Sequence, residues 1–222
     1  MPFQALVETF RQNGNEQNAK KMDAYMKNHF VHLGIKAPIR RQLTKEFVKE
    51  HPFQKEWVST LWELPEREFQ HVATDWLCLG QVKKSLTADD LPLLERLITT
   101  KSWWDTVDAL AAHPVGAIFR SDEQARDEYV KRWNESDNMW LNRTAILFQL
   151  HYKKETDESL LYSTIARHMD SKQFFHQKAI GWALREYAKV NPQSVIAFVE
   201  ANPLKPLSRR EALKHLKQKV SE

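Results

Sequence analysis

The chain has 222 residues, a formal net charge of +4 and a sequence pI near 9.0, and 42% of its side chains are hydrophobic. That length and apolar content suit a packed core rather than disorder, and no stretch approaches the roughly 18 uncharged residues of a membrane span. With Cys78 the single cysteine there is no internal disulfide, and the opening MPFQALVETFRQNGNEQ lacks the basic-then-apolar layout of a signal peptide, so a cytoplasmic protein is expected.

The elements, taken in chain order, are helical throughout. Asn13-Gly14 is the one Asn-Gly pair and lies in a polar N-terminal stretch, not between alternating β-branched runs. TADDLPLLERLI opens on Thr87 as a cap with acidic residues in its first turn; SDEQARDEYVKRW begins at Ser121 or Asp122; NPQSVIAFVEAN has Pro192 near its start and ends at Asn202-Pro203. About twelve helices are expected. No Gly/Ser linker interrupts them, so residues 1–222 read as one domain.

A repeat organises these helices. WLNRTAILFQL (140–150) aligns with FHQKAIGWAL (175–184), placing Ala145-Ile146 on Ala179-Ile180; the same small-then-aliphatic step occurs at Ala109-Leu110 and Ala212-Leu213, and Ala73 continues the series upstream. Spacings of 33 to 36 residues between these anchors are the signature of stacked helical pairs, an α-solenoid of HEAT-like repeats in which equivalent helices line one curved face.

Positions aligned by the repeat form columns: Trp104 with Trp140 and Phe174, Val107 with Arg143, and Asp108 with Thr144 and Lys178. In TKSWWDTVD, Trp104 and Asp108 are four apart and share a helical face, whereas Trp103, Val107 and Leu110 read as the stripe facing the core. Trp182 and Arg185 are three apart on a later helix. The tryptophans could simply fill the interior, and Asp108 and Arg143 could form an ordinary ion pair between repeats. For the set together that account is weaker, because charges and indoles converging on one surface are costly to desolvate and apolar substitutes exist.

TKSWWDTVD, SDNMWLNRTAILFQL, QKAIGWALREYAK and LSRREALKHL, with YMKNHFVHLGI near the N-terminus, resemble the DNA alkylation repair glycosylases of HEAT-like repeats, the AlkD type, over about residues 22 to 219. The resemblance implies a concave basic groove on double-stranded DNA. It also implies hydrolysis of the glycosidic bond of purines alkylated at ring nitrogens, mainly 7-methylguanine and 3-methyladenine, with no cofactor and no metal. It puts the catalytic acidic residue at Asp108, its flanking aromatics at Trp104 and Trp182, the neighbouring arginine at Arg143, and an N-terminal tyrosine near the lesion at Tyr25. Lys36, after LGI, departs from the neutral polar side chain expected there.

The chemistry fits that reading. A base alkylated at N3 or N7 already carries positive charge and leaves neutral, so a single ionised carboxylate suffices where ordinary glycoside hydrolysis needs two. Trp104 and Trp182 would each contribute about 0.5 to 2 kcal/mol by facing the cation, and Arg143, Lys178 and Arg185 would hold phosphates. Towards the C-terminus Lys205, Arg209, Arg210, Lys214, Lys217 and Lys219 face only Glu211 and Glu222, a basic set suited to duplex backbone. His29 and His32 are three apart, while His51, His71 and His113 are scattered without metal-ligand spacing. Cys78, between Leu77 and Leu79, reads as buried and inert. If a hidden general acid existed, His176 and Tyr25 would be the residues to examine. The chain is expected to act as a monomer; the alternatives are a non-catalytic DNA-binding module or a helical-repeat scaffold, and Asp108 argues against the first because a phosphate binder has no use for a carboxylate.

Overall fold

The computed structural model describes residues 2–216, so Lys217, Lys219 and Glu222 of the basic C-terminal set lie outside the described residues. The fold is all-α, with 72% helix and, among the described residues, no strand beyond an isolated bridge between Val31 and Glu66. The chain divides between Leu79 and Gly80 into two compact units.

The first unit holds α1 (Pro2–Gln12), α2 (Glu16–Tyr25), α3 (Ala37–Glu50), α4 (Glu56–Glu63) and α5 (Arg67–Leu77). Leu6, Val7 and Phe10, at helical spacing on α1, are buried. Asn15 caps α2 by accepting from the Asn18 amide. The loop after α2 is pinned by the buried Glu68 carboxylate, which accepts from the amides of Leu33, Gly34 and Ile35 at 2.9, 2.9 and 3.1 Å. Gly34 is required there: its φ is +84°, and a Cβ would fall 2.0 Å from the Asn15 carbonyl oxygen. Cys78, expected to be buried, is partly exposed just beyond the end of α5, because the chain there has left the packed face of the helix.

The second unit holds α6 (Gly80–Ser85), a 3-10 turn (Ala88–Asp90), α7 (Leu91–Thr99), α8 (Trp104–Leu110), a π-helical segment (Ala111–Val115) and α9 (Gly116–Ser121). It continues through α10 (Glu123–Asn134), α11 (Met139–Leu147), a 3-10 turn (Lys153–Glu155), α12 (Glu158–Ala166), α13 (Phe174–Tyr187), α14 (Pro192–Ala201) and α15 (Pro206–Ala212). The α-helices among the described residues thus outnumber the twelve expected. One reason is that residues 104–121 are a continuous rod split by its π segment, where Pro114 cannot donate to the α ladder and the wider turn accommodates it. Starts follow the cap residues. Thr87 and Asp90 form a capping box, and the side chains of Asp122, Asn138, Asp157 and Asn191 accept amides in the first turns of α10, α11, α12 and α14.

The anchors of the sequence repeat are where the helices meet. Ala73, Leu110, Ala145, Ile146, Ala179, Ile180 and Ala212 are at most 2% exposed. Ala109 alone of the small residues is only partly buried. A second, polar repeat accompanies them. The amide side chains of Gln70, Asn142 and Gln177 each donate to the carbonyl six residues earlier, at Leu64, Ser136 and Ser171, at 2.7, 2.8 and 3.1 Å. Each closes the turn that precedes its own helix, and Gln70 and Asn142 also bond carbonyls that the ends of α4 and α10 leave open, at Leu61, Trp62 and Trp133.

Candidate active site

Trp104 is the first residue of α8, and Trp103 is its extended cap with φ −158°, so the helical stripe expected for Trp103, Val107 and Leu110 does not form. Val107 and Leu110 are fully buried in the core, while Trp103 turns aside to pack on Trp140 and Phe175 with ring centroids 5.9 and 5.2 Å away. An extended cap residue points its side chain off the helical period, which is why the spacing misled. Trp140 and Phe175 are themselves 4.9 Å apart, completing an aromatic wedge between α8, α11 and α13.

Asp108 lies one turn along α8 from Trp104, and Arg143 reaches it from the middle of α11. The pairing is bidentate: Arg143 Nε donates to Asp108 Oδ1 at 2.6 Å and Nη2 to Oδ2 at 2.8 Å, while Nη1 donates to the Phe175 carbonyl at 2.5 Å. The side chains are 4% and 13% exposed for Arg143 and Asp108, and the guanidinium carbon stands 5.7 Å from the Phe175 ring centre. Burial pushes the Asp108 carboxyl above the ordinary carboxylate value; the hydrogen bonds and charge of Arg143 pull it back, and Asp105 adds a smaller upward push. The ion pair considered as the bland account of these residues is therefore real, and it fixes the carboxylate in one orientation. Two of the four lone-pair directions on its oxygens are used, leaving two for other partners.

The carboxylate borders a cavity of about 300 Å³ lined by Trp104, Asp108, Arg143, Phe174, Phe175, Lys178, Trp182 and Arg185. The four residues expected to act together, Trp104, Asp108, Arg143 and Trp182, thus share one cavity within the second unit, with Lys178 and Arg185 beside them. Trp104 is 36% and Phe174 58% exposed, so the mouth is aromatic and accessible. The column alignment is correct for Trp104 with Phe174 and for Asp108 with Lys178. It is not for Trp140, which packs in the wedge behind, nor for Thr144, which is buried and bonds the Trp140 carbonyl at 2.8 Å.

Lys178 and Arg185 are not isolated cations. Glu211 of α15 lies against α13 and binds both, at 3.1 Å to Lys178 Nζ and 2.6 Å to Arg185 Nη1. Its carboxyl is held below the ordinary value by the Lys178 hydrogen bond first; burial, the next largest effect, opposes this, and the Arg185 hydrogen bond and the two positive charges add to the lowering. Glu211 and Phe175 are the contributors that sequence reasoning missed. Gly181 was a usable signal for the first: a glycine in mid-helix marks close approach, and a Cβ there would fall 2.4 Å from Glu211 Cβ.

Arg209, Arg210 and Lys214 are not among the residues that line this cavity. Arg209 and Arg210 are exposed on α15, where Arg209 Nη1 donates to the Val199 carbonyl at 2.8 Å, and Lys214 is exposed in the turn beyond it. Tyr25 ends α2 in the first unit and is 72% exposed. His176 does not line the cavity. It is 6% exposed, bonds Ser171 Oγ through Nδ1 at 2.9 Å, and is pushed down to a pKa of about 4, by burial first and by the charge of His168 next; it is neutral at pH 7 and ill suited to donate a proton. Among the described residues no three His, Cys, Asp or Glu side chains gather as a metal site would need, and no helix is long and apolar enough to cross a membrane.

Comparison with known proteins identifies the family. No curated protein matches the chain. A solved structure described as a predicted DNA alkylation repair enzyme from Enterococcus faecalis shares 35% identity with a TM-score of 0.83, over 91% of this chain and 96% of that one. The profile of a family described as DNA alkylation repair enzyme matches residues 6–216, nearly the whole described chain. The chain belongs to the DNA alkylation repair enzyme family, whose substrate is DNA.

Proposed function

We propose that the protein is a DNA glycosylase that hydrolyses the N-glycosidic bond of cationic alkylated purines, such as 7-methylguanine and 3-methyladenine, in double-stranded DNA, and so acts in base excision repair. The observation that carries this reading is the Asp108 carboxylate, fixed by two hydrogen bonds from a buried arginine at the edge of an aromatic cavity. As the bond from the sugar C1′ to the base nitrogen breaks, its electron pair neutralises the charged purine and positive charge moves to the sugar. Asp108 stabilises that charge and orients the water whose oxygen bonds C1′, and the water's surplus proton passes to solvent. Trp104 and Trp182 face the cationic base, and Arg143, expected from sequence to hold phosphate, acts inward by aiming the carboxylate. Lys178 and Arg185 take the phosphate-binding role, with Arg209, Arg210 and Lys214 on the duplex backbone. A module that only gripped DNA would gain nothing from an oriented carboxylate beside its cations.

The test compares matched duplexes carrying 7-methylguanine or hypoxanthine at one position. The methylated base should be released and hypoxanthine retained, since among the described residues that line the cavity no second carboxyl and no histidine stands beside Asp108 to protonate a neutral leaving group. Equal release of the two would refute the mechanism, and release of neither would refute the glycosylase reading.

A further inference from the structure

Lys178, Trp182 and Arg185 occupy one face of α13, at i, i+4 and i+7, and all three line the cavity. This arrangement has an electrostatic difficulty. An indole attracts a cationic base through the negative charge of its ring face, yet Trp182 carries a full positive charge one turn away on either side. Two such neighbours in a partly desolvated cavity oppose the approach of a positively charged purine. Glu211 lies across Gly181, at the midpoint between them, and bonds to both. The trio then carries a net +1 instead of +2. Glu211 is 15% exposed, against 37% for Lys178 and 22% for Arg185, so the two pairs sit at the solvent edge of the cavity and screening weakens this balance without removing it.

On the reading that the substrate is a cationic base, we propose that Glu211 is a positioning and charge-setting residue for this site. It holds Lys178 and Arg185 at the cavity edge, where they meet phosphate, and removes one of their two charges so that the face of Trp182 accepts a cation. Glu211 does not touch the reacting atoms. The close approach that Gly181 permits is what brings it within reach of both cations.

The decisive property is that two readouts should move in opposite directions. In Glu211→Gln, which preserves shape, the log–log salt dependence of binding to undamaged duplex should steepen by about 0.9 because one more cation is available to phosphate, and affinity at moderate salt should rise several-fold. Release of 7-methylguanine under single-turnover conditions should meanwhile fall about tenfold. Glu211→Asp, which keeps the charge, should return both readouts to within about threefold of the parent. A merely structural Glu211 would lower affinity and rate together; an unchanged salt slope in Glu211→Gln overturns the proposal. If Glu211→Gln does not fold, Lys178→Met provides the same test. Glu211 would then neutralise Arg185, so adding Arg185→Met should leave the salt slope where Lys178→Met put it, whereas two independent cations would each flatten it by about 0.9. The binding measurements judge Glu211 even if the parent protein releases no base, an outcome that would refute the proposed function alone.

Discussion

Replacing Asp108 by asparagine separates what the Asp108–Arg143 pair does for the fold from what it does for the reaction. The substitution leaves Arg143, 4% exposed, facing a neutral amide. Removing one member of a buried ion pair costs about 3 to 5 kcal/mol when the remaining charge has nothing else. Here the asparagine oxygen still accepts one hydrogen bond, and the Phe175 carbonyl still accepts from Nη1 at 2.5 Å. The expected loss is nearer 1 to 3 kcal/mol, which for a chain of this size lowers the melting temperature by roughly 2 to 4 °C per kcal/mol. Base release should fall much further than folding does, by about 10²-fold to 10³-fold, or 3 to 4 kcal/mol of transition-state stabilisation. Thermal melting and single-turnover release, measured on the same preparation, distinguish the two. Adding Arg143→Met removes the stranded charge, so the double variant should recover stability relative to Asp108→Asn while remaining inactive. A folded Asp108→Asn protein that releases 7-methylguanine at near-parental rate would refute the assignment of the chemistry to this carboxylate.

Three further outcomes are expected. Because burial holds the Asp108 carboxyl above its ordinary 3.8 and the reaction needs it ionised, activity should fall on acidification along a limb centred above 3.8; a limb at or below that value would contradict the burial. His176, held down to about 4 from an ordinary 6.5, takes up its proton more readily when unfolded, so urea stability should decline as pH falls from 6.5 towards 4, and His176→Gln should reduce that decline. Gly181→Ala should cost about 1 to 3 kcal/mol in urea unfolding, since its Cβ would meet Glu211 Cβ at 2.4 Å and the Ser208 carbonyl at 3.0 Å, and parental stability would show that α13 and α15 do not approach so closely.

The site was legible in sequence where it obeyed helical arithmetic. Trp104 and Asp108 sit four apart on one helix, and the repeat brought Arg143 alongside because α8 and α11 are equivalent members of successive pairs. Legibility failed where geometry departed from that arithmetic. Trp103 lies in the extended residue before the helix, so its side chain answers to the wedge with Trp140 and Phe175 rather than to the core stripe. Glu211 sits in a stretch dominated by lysine and arginine, where composition suggests a solvated basic face; only the crossing of α13 by α15 reveals which two of the chain's cations it binds. The count of helices fell short for a similar reason, since no periodicity announces a rod interrupted by a π turn at Pro114.

The amide clasps of Gln70, Asn142 and Gln177 set a rule about where the chain can change length. Each measures a fixed six residues back, so a residue inserted into or deleted from any of those three turns moves the carbonyl away from its side-chain amide, which is buried in Gln70 and Asn142. The connection between α11 and α12 has a gauge of its own and of a different length, because the Gln149 side chain accepts from the Asp157 amide at 2.7 Å and donates to the Asp157 carbonyl at 3.2 Å, eight residues on. Length variation among proteins of this architecture is therefore expected to collect between the clasped turns, which keeps the register of α11 against α13, and with it the reach of Arg143 to Asp108, constant while the exposed connections drift.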